Sequence, residues 1–424
     1  MAKVVDSEWR NWSGSVSMRP RQIARPESEA ALAELVRSSP KVRPAGSGHS
    51  FMPLCETDGV LVLLDRLPGQ IEVAADRASA WVPANWPLHR LTQALWDEGL
   101  SLANQGDIDK QTLAGAMSTG THGTGRDLQS LSNMARAWRL MLADGSIVTC
   151  SRTERPELFE AQRLSLGLLG LALAVEIEVV PAYFLEERIE KRPLAEVVEG
   201  FADWANETRH VEFWVFPHAD TVILKTLRPS PDEGSFKEPG QVEETVFRLC
   251  CELSAAAPKF TPVLQKVLAR GAGKSRRVGP ANRIFPSERT VPFEEMEYEL
   301  PRDDALPVLQ EAIAWIRRGE LPVTFPFEFR WTAADDIWLS PFNRGPCAAI
   351  SMHQFAPMPW ADLFAEAETM FRAAGGRPHW AKRHTLTRED VDALYPEAER
   401  FRRVRREHDP EGRWLNGHLG ALFS

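Results

Sequence analysis

An α+β fold in at least two domains is what this sequence predicts, and three observations carry that expectation. Helix-like and strand-like stretches alternate through about the first 180 residues, separated by loops of small residues. Beyond residue 210 the pattern changes to strand pairs rich in aromatic and β-branched residues, followed by amphipathic helices. A chain of 424 residues also exceeds what one compact core accommodates, which leaves room for one domain to interrupt the other.

Taken in order, "RPESEAALAELVRSS" (25–39) predicts a helix: Pro26 suits its start, and Ala31, Leu32, Leu35 and Val36 form an apolar stripe. "KVRPAG" predicts a short strand entering a glycine turn, and "GVLVLLDRL" (59–67) an apolar strand. "WPLHRLTQALWDEGLSL" (86–102) predicts a second helix ended by Gly99. "GDIDKQTLAGAMSTGTHGTG" (106–125) is expected to be a loop, with little to bury and many backbone N–H groups and hydroxyls to offer a polar ligand. "AWRLMLADGSIVTC" (137–150) predicts a hairpin turning at Asp144 and Gly145. "LSLGLLGLALAVEIEVVP" (164–181) predicts a glycine turn feeding a strand that stops before Pro181.

Further along, "HVEFWVFPHADTVILKTL" (210–227) predicts two strands around a turn, and "DDALPVLQEAIAWIRRG" (303–319) a helix. "VTFPFEFRWTAADDIWLSP" (323–341) and "CAAISMHQFAP" (347–357) read as neighbouring strands. "MPWADLFAEAETMFRAAGG" (358–376) predicts a helix with a glycine stop, "RPHWAKRH" a loop, and the charged stretch from Arg388 a helix broken by Pro396. No internal repeat or low-complexity tract is visible.

Composition narrows the function classes. The chain is 43% hydrophobic and 26% charged, with a formal net charge of −9, which argues against a general nucleic-acid binder. The segment 259–285 departs from this, with seven Lys or Arg and no acid, and reads as a solvated basic loop or a binding patch. The five cysteines (Cys55, Cys150, Cys250, Cys251, Cys347) form no CxxC, so neither a disulfide framework nor a zinc site is expected. With no apolar h-region at the start and no run of eighteen apolar residues, a cytoplasmic protein without a membrane span is expected.

"VRPAGSGHSF" (42–51) pairs Gly46 and Gly48 with His49. A dinucleotide loop needs a third glycine where Phe51 stands, a P-loop needs Gly-Lys-Ser/Thr, and a nucleophile elbow needs G-x-S-x-G. His49 has no metal-ligand spacing to another histidine, and no metal site is expected. Taken alone, the stretch reads as a tight turn with an incidental histidine. Glycine and hydroxyl loops recur, however, at 45–50, 115–125 and 165–170, with few Lys or Arg inside them. Such loops suit an elongated cofactor with a pyrophosphate held by backbone donors.

Those loops resemble the FAD-binding elements of the vanillyl-alcohol-oxidase flavoprotein family. The C-terminal "GGRPHWAKRHTLTREDVDALYPEAERFRRVRREHDPEGRWLNGHL", with "EFWVFPHADTV" and "FEFRWTAADDIWLSPF", resembles the aldonolactone oxidases, the group of L-gulono-1,4-lactone and D-arabinono-1,4-lactone oxidases. The likeness runs from "WRNWSGS" nearly to the end, and bacterial alditol oxidases share much of it. The resemblance implies an FAD domain of two α+β subdomains (1–182), a substrate domain with a large antiparallel sheet (183–376), and a last segment (377–424) returning to the FAD domain.

It also implies roles. Ala45, Gly46, Ser47, Gly48, His49 and Ser50 would hold FAD, with His49 bonded covalently to the flavin 8α-methyl. Gly115, Ser118, Thr119, Thr121, His122 and Gly123 of the second loop, and Ser165, Gly167, Gly170 and Ile177 of the third and its strand, would complete the cofactor site, with His122 serving only to order its loop. Alternation in "FEFRW" puts Glu328 and Arg330 on one face. The pattern alone fits a solvated face, whereas the resemblance places both residues, with Lys382 of "HWAK", against the substrate. His353 shares a strand face with Ser351 and reads equally as the proton acceptor or as a structural histidine. The implied reaction takes hydride from a sugar-derived alcohol, a lactone or polyol, to flavin N5. Dioxygen then takes the electrons, giving hydrogen peroxide and an ascorbate-type product. An alditol oxidase, a dehydrogenase with another acceptor and a flavin carrier without turnover are the rival readings.

Overall fold

The structure, a computed structural model, describes residues 8–234, 236, 242–271, 273–287 and 289–424. In the N-terminal part, three parallel strands lie in the order Gln22–Ala24, Val60–Leu63, Val42–Ala45. The helix Glu29–Ser38 precedes the last of these and buries Leu32, Ala33 and Val36. Its cap is Ser28, which accepts from the Ala31 N–H, so the helix starts at Glu29, three residues beyond the expected start at Pro26. A five-stranded antiparallel sheet follows, in the order Ile147–Ser151, Ala135–Met141, Leu171–Glu178, Ser79–Pro83, Glu72–Val73. The expected hairpin over 137–150 is its outer pair, turning at Gly145 with φ +77°.

An eight-stranded antiparallel sheet dominates the rest. Its order is Ser275–Pro280, Phe184–Pro193, Thr221–Ser230, His210–Val215, Phe327–Thr332, Cys347–Phe355, Phe293–Pro301, Arg377–Pro378. Strict alternation divides its faces. Val211, Phe213, Met296, Tyr298, Phe327, Phe329, Ile350 and Met352 form an apolar core with Phe201, Leu309, Ile313, Phe364 and Phe371 of three covering helices (Leu194–Glu207, Arg302–Arg318, Ala361–Ala373). The intervening residues, Glu212, Glu295, Glu297, Glu328, Arg330, Ser351 and His353, belong to the opposite face and are buried too. The last stretch packs back on the N-terminal core: Trp380, Leu386, Phe401 and Phe423 join Leu91, Trp138 and Phe159 in one apolar cluster.

Three expectations need correction. The 106–125 stretch is not all loop, because Leu113–Thr119 forms a helix that buries Leu113, Ala116 and Met117 and ends at Gly120 in the left-handed region. The basic segment 259–285 is not a loop either: its described residues hold a helix (Thr261–Gly271), an edge strand (Ser275–Pro280) and a short helix (Ala281–Ile284), with Arg276 and Arg277 paired to Glu186 and Glu187. The expected loop after Gly376 begins with Arg377–Pro378 pairing at the sheet edge. Pro396 does separate two helices, Arg388–Leu394 and Ala398–His408. All five cysteines are free, and among the described residues no helix is long and apolar enough to cross a membrane.

Candidate active site

The three small-residue loops converge on one groove of about 500 Å³. Ala45, Gly46, Ser47, Gly48, His49 and Ser50 line it with Gly115, Ser118 and Thr119 from the Leu113–Thr119 helix, and Gly167 and Gly170. A Cβ on Gly46 would stand 2.2 Å from Thr112 Oγ1, so the close approach of these two loops requires glycine. Gly48 holds φ +71°, and its carbonyl accepts from the Trp12 N–H.

The sequence reading passed over the residue that fastens the loops together. Arg43 is buried, and its guanidinium donates to the carbonyls of Leu54, Leu166, Gly167 and Trp414, at 2.7, 2.9, 3.0 and 2.6 Å. Burial pulls its pKa down to about 10, against the pull of nearby Cys55 and Asp409. Arg43→Met leaves four buried carbonyls without that donor. We expect a loss of about 3 kcal/mol or more in stability and a fall in bound flavin per polypeptide, read by thermal melting and by the ratio of flavin to protein absorbance. A variant as stable and as yellow as the parent would refute the role.

Beside the groove lies a second cleft of about 470 Å³, and His49 and Gln111 line both. The cleft leads to a small chamber of about 60 Å³, with which it shares Arg289, Phe293, Glu295 and Lys382. Glu328, Arg330, Lys382 and His353, the four predicted catalytic residues, all line this chamber. Lys382 reaches it because the loop carrying it is docked on the His49 loop: the Phe51 N–H donates to the Ala381 carbonyl, and the Ser50 hydroxyl donates there as well.

The chamber is a lattice of paired charges. Arg330 donates to Glu297 at 2.8 Å and lies 3.5 Å from Glu328 Oε1, outside hydrogen-bonding geometry, so that oxygen is buried without a hydrogen bond. Burial opposes the Arg330 charge, but the carboxylates of Glu328, Glu297, Asp107 and Glu212 outweigh it and raise its pKa further. Lys382 hydrogen-bonds Glu295, whose other oxygen lies 3.3 Å from His353 Nε2. Burial would raise the Glu295 pKa, yet Lys382 and His353 bring it down to about 2. Lys225 pairs with Glu212 at 2.9 Å, and Arg289 lies 3.5 Å from Asp107. His49 sits at the rim, stacked on Trp12 with ring centroids 5.8 Å apart. Burial, then the nearby Lys382 charge, lowers its pKa to about 4, so its imidazole is neutral at physiological pH.

Five predicted cofactor residues lie outside the groove. Thr121 and His122 line the chamber instead. Gly123 packs against the Gln105 carbonyl, while Ser165 and Ile177 are buried and do not line the groove. His122 does more than order its loop: Nε2 stands 3.1 Å from Glu297 and 3.3 Å from Glu299, and Nδ1 2.9 Å from the Gly123 carbonyl. Burial disfavours its charge, but Glu299 and Glu297 raise its pKa to about 10. A raised pKa stabilises the fold fully below the ordinary value of 6.5, and that contribution disappears as pH rises through 10. We therefore expect Tm to fall by about 5 °C or more across that interval, and His122→Gln to flatten this slope. Equal slopes in the two proteins would exclude the imidazolium.

The most informative element missed in the sequence is the strand Phe293–Pro301, which carries Glu295, Glu297 and Glu299. Its signal was present, since Glu295, Glu297 and Glu299 alternate with Met296, Tyr298 and Leu300.

Residues 175–422 match the family described as D-arabinono-1,4-lactone oxidase. The chain belongs to that family. Residues 20–151 match the FAD binding domain, a stretch that holds the first loop and the helix of the second, both of which line the groove. Among relatives of this lactone oxidase family member, the L-gulono-1,4-lactone dehydrogenase of Mycobacterium tuberculosis is 35% identical over 98% of this chain and 99% of its own. The L-gulonolactone oxidase of Scyliorhinus torazame is 28% identical over 98% of each chain, and an alditol oxidase of Streptomyces is 29% identical over 97% and 98%. In fold the chain is similar to a solvent-stable cholesterol oxidase, with a TM-score of 0.84 at 18% identity, over 98% of this chain and 97% of that one. The α+β architecture is of the vanillyl-alcohol-oxidase type expected from the sequence.

Proposed function

We propose that this protein oxidises a neutral aldono-1,4-lactone, such as L-gulono-1,4-lactone, at a secondary alcohol, with FAD as hydride acceptor. Dioxygen takes the electrons in turn, and the products are hydrogen peroxide and an ascorbate-type lactone. The observation that carries this reading is the meeting of Glu328, Arg330 and Lys382 in one chamber that opens, past His49, onto the FAD groove. The groove suits the group: Gly46, Gly48, Gly115, Gly167 and Gly170 line it without side chains, and Gln162 at its wall has a buried Oε1 without a partner. Bound there, FAD supplies the hydride-accepting chemistry.

The chain's own residues bind and polarise. Glu328 Oε1, lacking a hydrogen bond, accepts from a substrate hydroxyl. Arg330, held by Glu297, faces the oxygen on which negative charge develops, and Lys382 favours ionisation of the hydroxyl. For His353 the structural reading is favoured over the base: Nε2 faces Glu295, and Nδ1 is buried without a partner beside the Phe293 ring. His49 is the residue we assign to covalent FAD attachment, supported by its neutral imidazole at the junction of groove and cleft. On this reading residues 1–182 hold FAD, 183–376 hold substrate and 377–424 return to the FAD domain, which the shared core of Trp380, Phe401 and Trp138 supports. A cytoplasmic setting is supported by the five unpaired cysteines.

Each cation lining the chamber already has a carboxylate: Arg330 has Glu297, Lys382 Glu295, Arg289 Asp107, and His122 Glu297 and Glu299. A ligand bearing its own carboxylate would meet uncompensated negative charge, so lactones should turn over and their open-chain aldonates should not. The test is peroxide release in air, and dye reduction without air, across L-gulono-, L-galactono- and D-arabinono-lactone, the matching aldonates, xylitol and sorbitol. Turnover of polyols alone would move the assignment to alditol oxidation. Turnover with dye but no peroxide would make it a dehydrogenase.

A further inference from the structure

Beyond this activity, we infer that the helical hairpin formed by Val242–Ala256 and Thr261–Gly271 docks the protein on an anionic lipid surface. Seven large hydrophobic residues are exposed among those described, and six lie here: Val246, Leu249 and Leu253 on the first helix, Phe260 on the turn between, Val263 and Val267 on the second. Leu249 is 54% exposed and Val263 59%. Both helices are anchored by their other sides. Phe247 and Cys251 join the cluster of Phe293 and Phe325, while Ala269 packs with Phe216 and Phe247, so the outer faces turn away from the same core. Gln265 ties the second helix down by donating to the Val323 carbonyl.

The charge around these residues selects the occupant. Residues 242–276 hold six Lys or Arg and three Glu, a local excess of three positive charges in a chain whose net charge is −9. On the second helix Val263, Lys266, Val267 and Arg270 fall at helical spacing on one exposed face, and Lys259 stands 5.2 Å from the Phe260 ring. An apolar face interleaved with cations suits headgroup phosphates above acyl chains. A second copy on this face would set Lys259, Lys266 and Arg270 against their own counterparts, because a twofold contact uses the same patch on both sides.

The test is co-sedimentation of the FAD-loaded protein with vesicles of phosphatidylcholine alone and of phosphatidylcholine mixed with phosphatidylglycerol, at low and high salt. The parent should bind the mixed vesicles about tenfold more tightly than the neutral ones, and salt should weaken this. Leu249→Ser combined with Val263→Ser, and separately K266E with R270E, should each reduce binding by about tenfold or more. Lactone turnover in solution should be unchanged, since none of these residues lines the groove, the cleft or the chamber. Parent protein that ignores mixed vesicles, or variants that bind them equally well, would overturn the inference. So would a concentration-dependent dimer that L249S with V263S abolishes while vesicles remain unbound.

Discussion

Arg330→Met should lower kcat/KM for the lactone by about a thousandfold, the range found when one buried donor to developing oxyanion charge is removed. The side chain is buried in the chamber wall, and its guanidinium is held by Glu297 and flanked by Glu328. Methionine keeps the length and removes the charge, leaving Glu328 without its nearby cation and Glu297 with His122 alone. Stability should therefore fall as well, by about 3–5 kcal/mol. Arg330→Lys separates the effects. It restores a positive charge while losing the planar fork, so the fold should recover more fully than turnover. Thermal melts and flavin content establish that each variant is folded and loaded. A loaded, folded Arg330→Met enzyme within about threefold of the parent would remove this residue from the catalytic machinery.

His49→Ala should abolish retention of flavin by acid-denatured protein. In the parent, the yellow colour should sediment with the precipitate, and a flavin peptide containing His49 should appear in a digest. In the variant the colour should remain in the supernatant, while the native protein still carries FAD, because Arg43 and the glycine loops that shape the groove are untouched. Turnover should fall by about tenfold, a change of ~1.4 kcal/mol in the barrier. Colourless precipitated parent protein would refute covalent attachment and leave the FAD site itself standing.

The alternation of "FEFRW" was legible in the sequence, but alone it fitted a solvated face, and only the resemblance set Glu328 and Arg330 against substrate. The alternation in "FEFRW" sets Phe327, Phe329 and Trp331 in the core and Glu328 and Arg330 in the chamber, as the register with the Cys347–Phe355 strand requires. The Phe293–Pro301 strand obeys the same alternation but went unread, since four glutamates in nine residues suggest solvent. They are buried because their partners arrive from elsewhere: Arg383 for Glu294, Lys382 for Glu295, Arg330 for Glu297. Pairing across 33 to 89 positions leaves no local trace. The Leu113–Thr119 helix was missed for the opposite reason. Its small residues suit a loop, and it is helical because Leu113, Ala116 and Met117 find a core to enter.

Arg43 imposes an order on biosynthesis. One of its four carbonyl partners belongs to Trp414, 371 positions later, and Asn416 donates to the Pro53 and Glu56 carbonyls on the same side of the groove. A nascent chain emerging from the ribosome can form the early strands, but it cannot finish the floor of the groove until residues 414–416 have been made. We therefore expect flavin loading to follow synthesis of Trp414, and a polypeptide stalled short of it should emerge colourless.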